Sequence, residues 1–114
     1  MFRHVKKLHF VGIGGIGMSG IAELLLNQGF NITGSDINDS KVIENLKVKG
    51  AEIFKGHNAN NLSDADVLVY SSAVKEDNPE IIAALEKNIP IIRRAEMLGE
   101  LIALKETSIG VAGT

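Results

Sequence analysis

Three glycines, Gly12, Gly14 and Gly17, stand in the spacing G-x-G-x-x-G, with Gly15 among them, directly after the apolar run Leu8-His9-Phe10-Val11. A helical pattern follows at once. Glycine lets a chain turn sharply and lets a ligand come close, while the amides and dipole of a helix start favour an anion such as a diphosphate. Gly12, Gly14, Gly15, Ile16 and Gly17 therefore form the first candidate binding stretch. The alternative is a set of packing glycines at a tight strand-to-helix turn. Ser19 either adds a hydroxyl to this stretch or faces solvent.

Further residues extend that chemistry. Asp36 lies nineteen residues after Gly17, about where a nucleotide-binding unit places an acid to meet a ribose or a base. Its alternative is a surface acid in a turn, and Ser35 is a weaker companion. Ser71, Ser72 and Ala73 offer small side chains, hydroxyls and amides after a strong apolar run, and also fit a plain loop. His57 could touch a base. It has no sequence neighbours that would make a metal set, since His4 and His9 are distant and cysteine is absent. Arg93 and Arg94 end an apolar pair, where one could meet a phosphate or carboxylate, or both could be solvated. Glu76, Asp77 and Glu80 read as a solvated, dipole-complementing group at a helix start. No triad or acid/base pair stands out, so the segment reads as a binder.

The elements that must position these residues follow from periodicity. Met18, Ile21, Ala22, Leu25 and Leu26 fall on one helical face, stopped by Gly29. Phe30–Gly34 reads as a strand. A second helix, capped by Asp39 or Ser40, carries Val42, Ile43 and Leu46 inward and stops at Gly50. Ala51–Phe54 is a short strand, followed by a polar loop through Asn61. Asp66–Tyr70 is apolar after its first residue and reads as a strand buried on both faces. Asn78 caps a helix that Pro79 opens, with Ile81, Ile82 and Leu85 inward. Pro90–Ile92 is a fifth strand, and a helix follows with Met97, Leu98, Leu101 and Ile102 inward.

Strands alternating with helices across short connections specify an α/β fold, a Rossmann-like parallel five-stranded sheet with helices on both faces. The usual order 3-2-1-4-5 puts strands one and four side by side at the switch point. The glycine loop and the Ser71–Ala73 loop then share one crevice. Thr107–Ala112 reads as a further strand that arrives after the unit is complete, leading into Gly113-Thr114. The expected division is residues 1–105 as one domain and 106–114 as the start of another.

Composition narrows the class. The chain has 114 residues, 45% of them hydrophobic and 23% charged, with a formal net charge of −2. This balance, with five aromatic residues (four Phe, one Tyr), argues against a non-specific nucleic-acid binder. No apolar run reaches the length of about twenty residues that spans a bilayer, and the basic start is followed only by a short, glycine-broken apolar stretch. A soluble cytoplasmic domain, with neither membrane nor nucleic acid as partner, is expected.

With these stretches together, the chain resembles the amino-terminal domain of Mur ligases. The matching stretches are His9–Gly20, Gly34-Ser35-Asp36, Tyr70–Val74 with Asn78-Pro79-Glu80, Arg93–Leu98 and Ile109–Thr114. The resemblance implies an enzyme that uses ATP and Mg2+ to join L-alanine to UDP-N-acetylmuramate in peptidoglycan synthesis. It implies that the glycine loop cradles the UDP diphosphate, with Ser35, Asp36 and Ser71–Ala73 near uridine or sugar. Gly113 and Thr114 would begin an ATP loop whose lysine this chain lacks, so the segment alone would bind UDP-sugar and catalyse nothing. Two rivals share the fold: a ligase attaching a murein tripeptide to the same UDP-sugar, and an NAD-binding domain of a dehydrogenase or regulator.

Overall fold

Alternation along β1 (Lys7–Val11) sorts the molecule into two layers around a sheet. Leu8 and Phe10 point to one side, and His9 and Val11 to the other. The structure, a computed structural model, describes residues 6–15, 17–38, 40–71 and 74–93. The remaining strands are β2 (Asn31–Asp36), β3 (Glu52–Lys55), β4 (Val67–Tyr70) and β5 (Ile91–Ile92). All four pairings are parallel and the order is β3-β2-β1-β4-β5, as the sequence pattern predicts. The five-stranded α/β unit is thus in place.

Helices α1 (Met18–Asn27) and α2 (Lys41–Val48) cover one face. Met18, Ala22 and Leu25 of α1 join Ile43 and Leu46 of α2 over Leu8, Phe10, Ile32, Val67 and Val69. Helix α3 (Pro79–Glu86) covers the other, where Ile81, Ala83 and Ala84 pack on Val11, Leu68 and Tyr70. Caps follow the sequence reading. The Ser40 hydroxyl accepts the Ile43 amide at 3.3 Å, and the Asn78 side chain accepts the Glu80 amide at 2.9 Å.

Three inward assignments change. Val42 is 42% exposed, Ile82 44% and Leu85 62%. On α3 the buried positions are Glu80, Ile81, Ala83 and Ala84. Small alanines turned to the sheet let the helix sit close, so the bulkier Ile82 and Leu85 fall outside. The loop after β3 contains a 3-10 helix, Ala59–Leu62, which anchors itself by burying Leu62. The expected helix after Arg94 and the strand at Thr107–Ala112 lie outside the described residues.

Candidate functional site

At the carboxyl ends of β1, β2 and β4 the chain leaves the sheet in three loops, and between them lies a cleft of about 550 Å³. Its described lining includes Gly12, Gly15, Asp36, His57 and Ser71, all expected from sequence, with Ile37, Val74, Lys75, Asp77, Asn78 and Pro79. Parallel pairing of β1 with both β2 and β4 is what brings these loops together.

The glycine loop is held mainly by its own amides. Gly12 and Ile13 donate to the Ser35 carbonyl at 2.8 and 3.1 Å, and Gly15 donates to the Gly12 carbonyl at 3.0 Å. Gly14 donates to Asp36 Oδ2 at 2.9 Å. Gly12 takes φ of +76°, a left-handed conformation that favours glycine. At Gly14 a Cβ would come within 2.9 Å of Asp36 Oδ2 and 3.1 Å of Ile43, so the loop can approach that carboxylate only without a side chain. Asp36 also accepts the Asn38 amide at 2.9 Å. It therefore clasps the glycine loop while lining the cleft, and carboxylate lone pairs remain for a ligand. The amides of Gly12 to Gly15 are engaged, and at the start of α1 Met18 and Ser19 both donate to the Gly15 carbonyl, at 3.1 and 3.4 Å. An anion there would meet the Gly17 amide and the positive end of the helix dipole. There Gly17 is exposed, caps the helix without a side-chain hydrogen bond, and no acid occupies the first turn. Ser19 is half-buried in that turn.

Beneath the cleft lies a buried polar cluster. Glu80 is fully buried, correcting its sequence reading as part of a solvated acidic face. Its Oε1 accepts from His9 Nε2 and, at 2.8 Å, from the Ser35 hydroxyl. Its Oε2 is met by His57 Nδ1 at 3.2 Å, the Asn58 amide at 3.1 Å and Asn61 Nδ2 at 3.3 Å. Thr33 Oγ1 lies 2.7 Å from His9 Nδ1, and Ser35 Oγ lies 2.9 Å from His57 Nδ1. Burial pushes the Glu80 carboxyl up, but hydrogen bonds from His9 and Ser35, the His9 ring beside it and the Asn58 amide outweigh burial. Its pKa is held below the usual carboxylate value. Every buried side-chain nitrogen or oxygen among the described residues has a partner.

The other expected site residues are placed as follows. Ser35 is buried under the cleft, where it links Glu80 to His57. Arg93 is exposed beyond β5 and does not line the cleft. Ile16, Ser72, Ala73, Gly113 and Thr114 lie outside the described residues. Sequence reasoning missed Lys75, a cation in the cleft lining, and the Glu80 cluster. A signal for the cluster was present: His9 interrupts an apolar strand, and a buried histidine needs partners. Among the described residues no group of three or more His, Cys, Asp or Glu is arranged to hold a metal ion.

The cleft sits where nucleotide-binding α/β sheets hold ligands, and comparison with known proteins specifies the family. Residues 7–106 match the family model described as "Mur ligase family, catalytic domain". The chain belongs to the Mur ligase family. Over all 114 residues it is 60% identical to the UDP-N-acetylmuramate–L-alanine ligase of Nitratidesulfovibrio vulgaris (strain DP4), covering 25% of that protein. Among Mur ligase structures, the UDP-N-acetylmuramate–alanine ligase MurC of Thermotoga maritima matches with a TM-score of 0.80 at 38% identity. That match covers 88% of this chain and 23% of the other. The UDP-N-acetylmuramate:L-alanyl-gamma-D-glutamyl-meso-diaminopimelate ligase of Neisseria meningitides matches with a TM-score of 0.75 at 29% identity, over 84% of this chain and 31% of that one. The chain thus spans about a quarter of the length of the curated relative it matches. Membership of the Mur ligases displaces the dehydrogenase alternative that the glycine spacing alone allowed.

Proposed function

We propose that this chain is the UDP-substrate-binding part of an ATP-dependent ligase that adds L-alanine to UDP-N-acetylmuramate in peptidoglycan synthesis. Whole-chain identity of 60% to a protein named for that activity carries the reading. The cleft supports it, because the glycine loop, Asp36, His57 and Ser71 converge there. The diphosphate is assigned to the Gly15–Ser19 end of the loop, the α1 start, and Lys75, which lines the same cleft as Gly15, is assigned as its counter-charge. Asp36, His57, Ser71 and the adjoining Ser72 and Ala73 are assigned to uridine and sugar. Arg93, outside the cleft lining, is not needed for this assignment.

In this reading residues 1–105 form the UDP-sugar domain and 106–114 open the ATP-binding domain at Gly113-Thr114. ATP, Mg2+ and L-alanine would be held by other parts of a longer ligase, a reading supported by the chain's covering 25% of the alanine ligase it matches. The place of action in this reading is the cytoplasm; separately, no helix among the described residues is long and apolar enough to cross a membrane. A second reading, the tripeptide-attaching ligase, is favoured by the structural match to the Neisseria enzyme, but at 29% identity against 38% for the Thermotoga alanine ligase.

Titration of the labelled chain with UDP-N-acetylmuramate tests the proposal. Saturable chemical-shift changes at Gly14–Ser19, His57 and Lys75 are expected. A folded chain that stays silent at millimolar ligand would sink it.

A further inference from the structure

The cluster beneath the cleft has a direction, because its protons can be counted. An ionised carboxylate donates nothing, so each group that bonds it must bring the proton. Glu80 receives such groups on both oxygens, the Asn58 amide and Asn61 Nδ2 on Oε2 and the Ser35 hydroxyl on Oε1. His57 Nδ1 lies 3.2 Å from Oε2 and must therefore carry a hydrogen to bond it. Ser35 makes the same demand independently. Its single hydroxyl proton goes to Glu80 Oε1, so the 2.9 Å contact with His57 Nδ1 requires the proton to sit on nitrogen. A neutral ring with hydrogen on Nδ1 has a bare Nε2. That atom has no partner among the described residues, and His57 lines the cleft.

We propose that Glu80 is a positioning residue for nucleobase selection. Through Ser35 and His57 it fixes the Nδ1–H tautomer, and so presents His57 Nε2 to the cleft as a hydrogen-bond acceptor. This rests on the uridine-diphosphate reading above and adds what selects the base. A uracil carries N3–H and can donate to Nε2, whereas a cytosine has a lone pair at N3 and would face another acceptor. Desolvating two acceptors against each other is unfavourable, so the site rejects cytosine without any steric clash.

Long-range 15N imidazole spectra of the labelled chain test the assignment directly, alongside calorimetric titrations with UDP and CDP. His57 is expected in the Nδ1–H form, and UDP is expected to bind about tenfold more tightly than CDP, the worth of roughly one hydrogen bond. In Glu80→Gln the amide can donate as well as accept, so the tautomer should shift toward Nε2–H and the preference for UDP should fall to about twofold or less. If that variant does not fold, His57→Phe serves instead, lowering UDP affinity and relieving CDP of the opposed acceptor, so that the two nucleotides bind about equally. Finding Nε2 protonated in the parent chain, as the other tautomer or as the imidazolium, or an undiminished UDP preference in a folded Glu80→Gln, overturns the proposal. Equal binding of UDP and CDP by the parent overturns it too, while leaving the uridine-diphosphate reading standing. Binding of neither nucleotide shows instead that the reading itself has failed, and base selection falls with it.

Discussion

The two faces of the sheet are built on opposite principles. Under α1 and α2 the strands present Leu8, Phe10, Ile32, Val67 and Val69, an apolar layer that excludes water and sets no direction. On the other face, β4 offers Leu68 and Tyr70 to α3, but the neighbouring positions on β1 and β2 are His9, Thr33 and Ser35. The register places His9 beside Thr33 and Val11 beside Ser35, so these polar groups form one patch. Glu80 from α3 closes over it, and the 3-10 helix adds Asn61 and its capping residue Asn58. A buried ion carries a desolvation cost that apolar residues of similar size avoid, so such a cluster is not the most stable way to fill the space. What it supplies is orientation. Hydrogen bonds fix which atom of His57 meets the cleft, something that packing alone does not determine.

The contrast can be broken most forcefully from the apolar side. Phe10 is fully buried at the centre of β1, so Phe10→Ala should destabilise the fold by about 3–5 kcal/mol. Chemical denaturation would measure this, and the loss should change little between pH 4 and pH 7 because the side chains that form this buried layer are apolar and do not titrate. A loss below about 1 kcal/mol would mean that this layer is not the main source of stability.

The polar side should respond to acid. Glu80 titrates below its ordinary value of 4.5 in the folded chain because His9, Ser35 and Asn58 bond its ionised form more strongly than burial opposes it. A depressed carboxylate contributes stability that is fully present above the unfolded value and is lost as pH falls through the folded one. Lowering the pH from about 5 to 3 should therefore destabilise the parent more than it destabilises Glu80→Gln. At neutral pH that substitution should cost about 1–3 kcal/mol, less than Phe10→Ala. Denaturation midpoints across this range check both statements. Parallel curves for parent and variant would show that Glu80 is not the titrating contributor.

Most of the framework was legible because it depends on periodicity and punctuation. Ser40 and Asn78 cap as short polar side chains do, and the positive-φ glycines Gly29 and Gly50 follow α1 and α2. The all-apolar β4 announced its burial, and β1 its central place. Five expected residues, Gly12, Gly15, Asp36, His57 and Ser71, reached one cleft because the parallel order brings successive loops to the same edge. Glu80 was illegible for a different reason. A glutamate in a helix's first turn is ordinarily explained by the dipole, and only the fold shows that this one faces His9, seventy-one positions away. Long-range pairing of polar groups leaves no local period to detect. The misplacement of Ile82 and Leu85 has a local cause, since hydrophobic weight suggests one face of α3 while the alanines that fit against the sheet define another.

The smallest expected effect sharpens the same lesson on α2. Val42 and Ile43 are adjacent and similarly apolar, yet Ile43 is 3% exposed and Val42 42%. Ile43 also lies against the glycine loop, where a Cβ on Gly14 would come within 3.1 Å of it. The side of α2 that seals the apolar layer is thus the side that carries the binding loop, and Val42 belongs to neither contact. Val42→Thr keeps the branched shape and replaces one methyl with a hydroxyl that water can reach. Its effect should stay within about 0.5 kcal/mol in either direction, as for surface changes generally. A loss above about 1.5 kcal/mol in thermal or chemical unfolding would place Val42 in the core. The apolar layer would then extend around α2, and its boundary with the solvent would have to be redrawn.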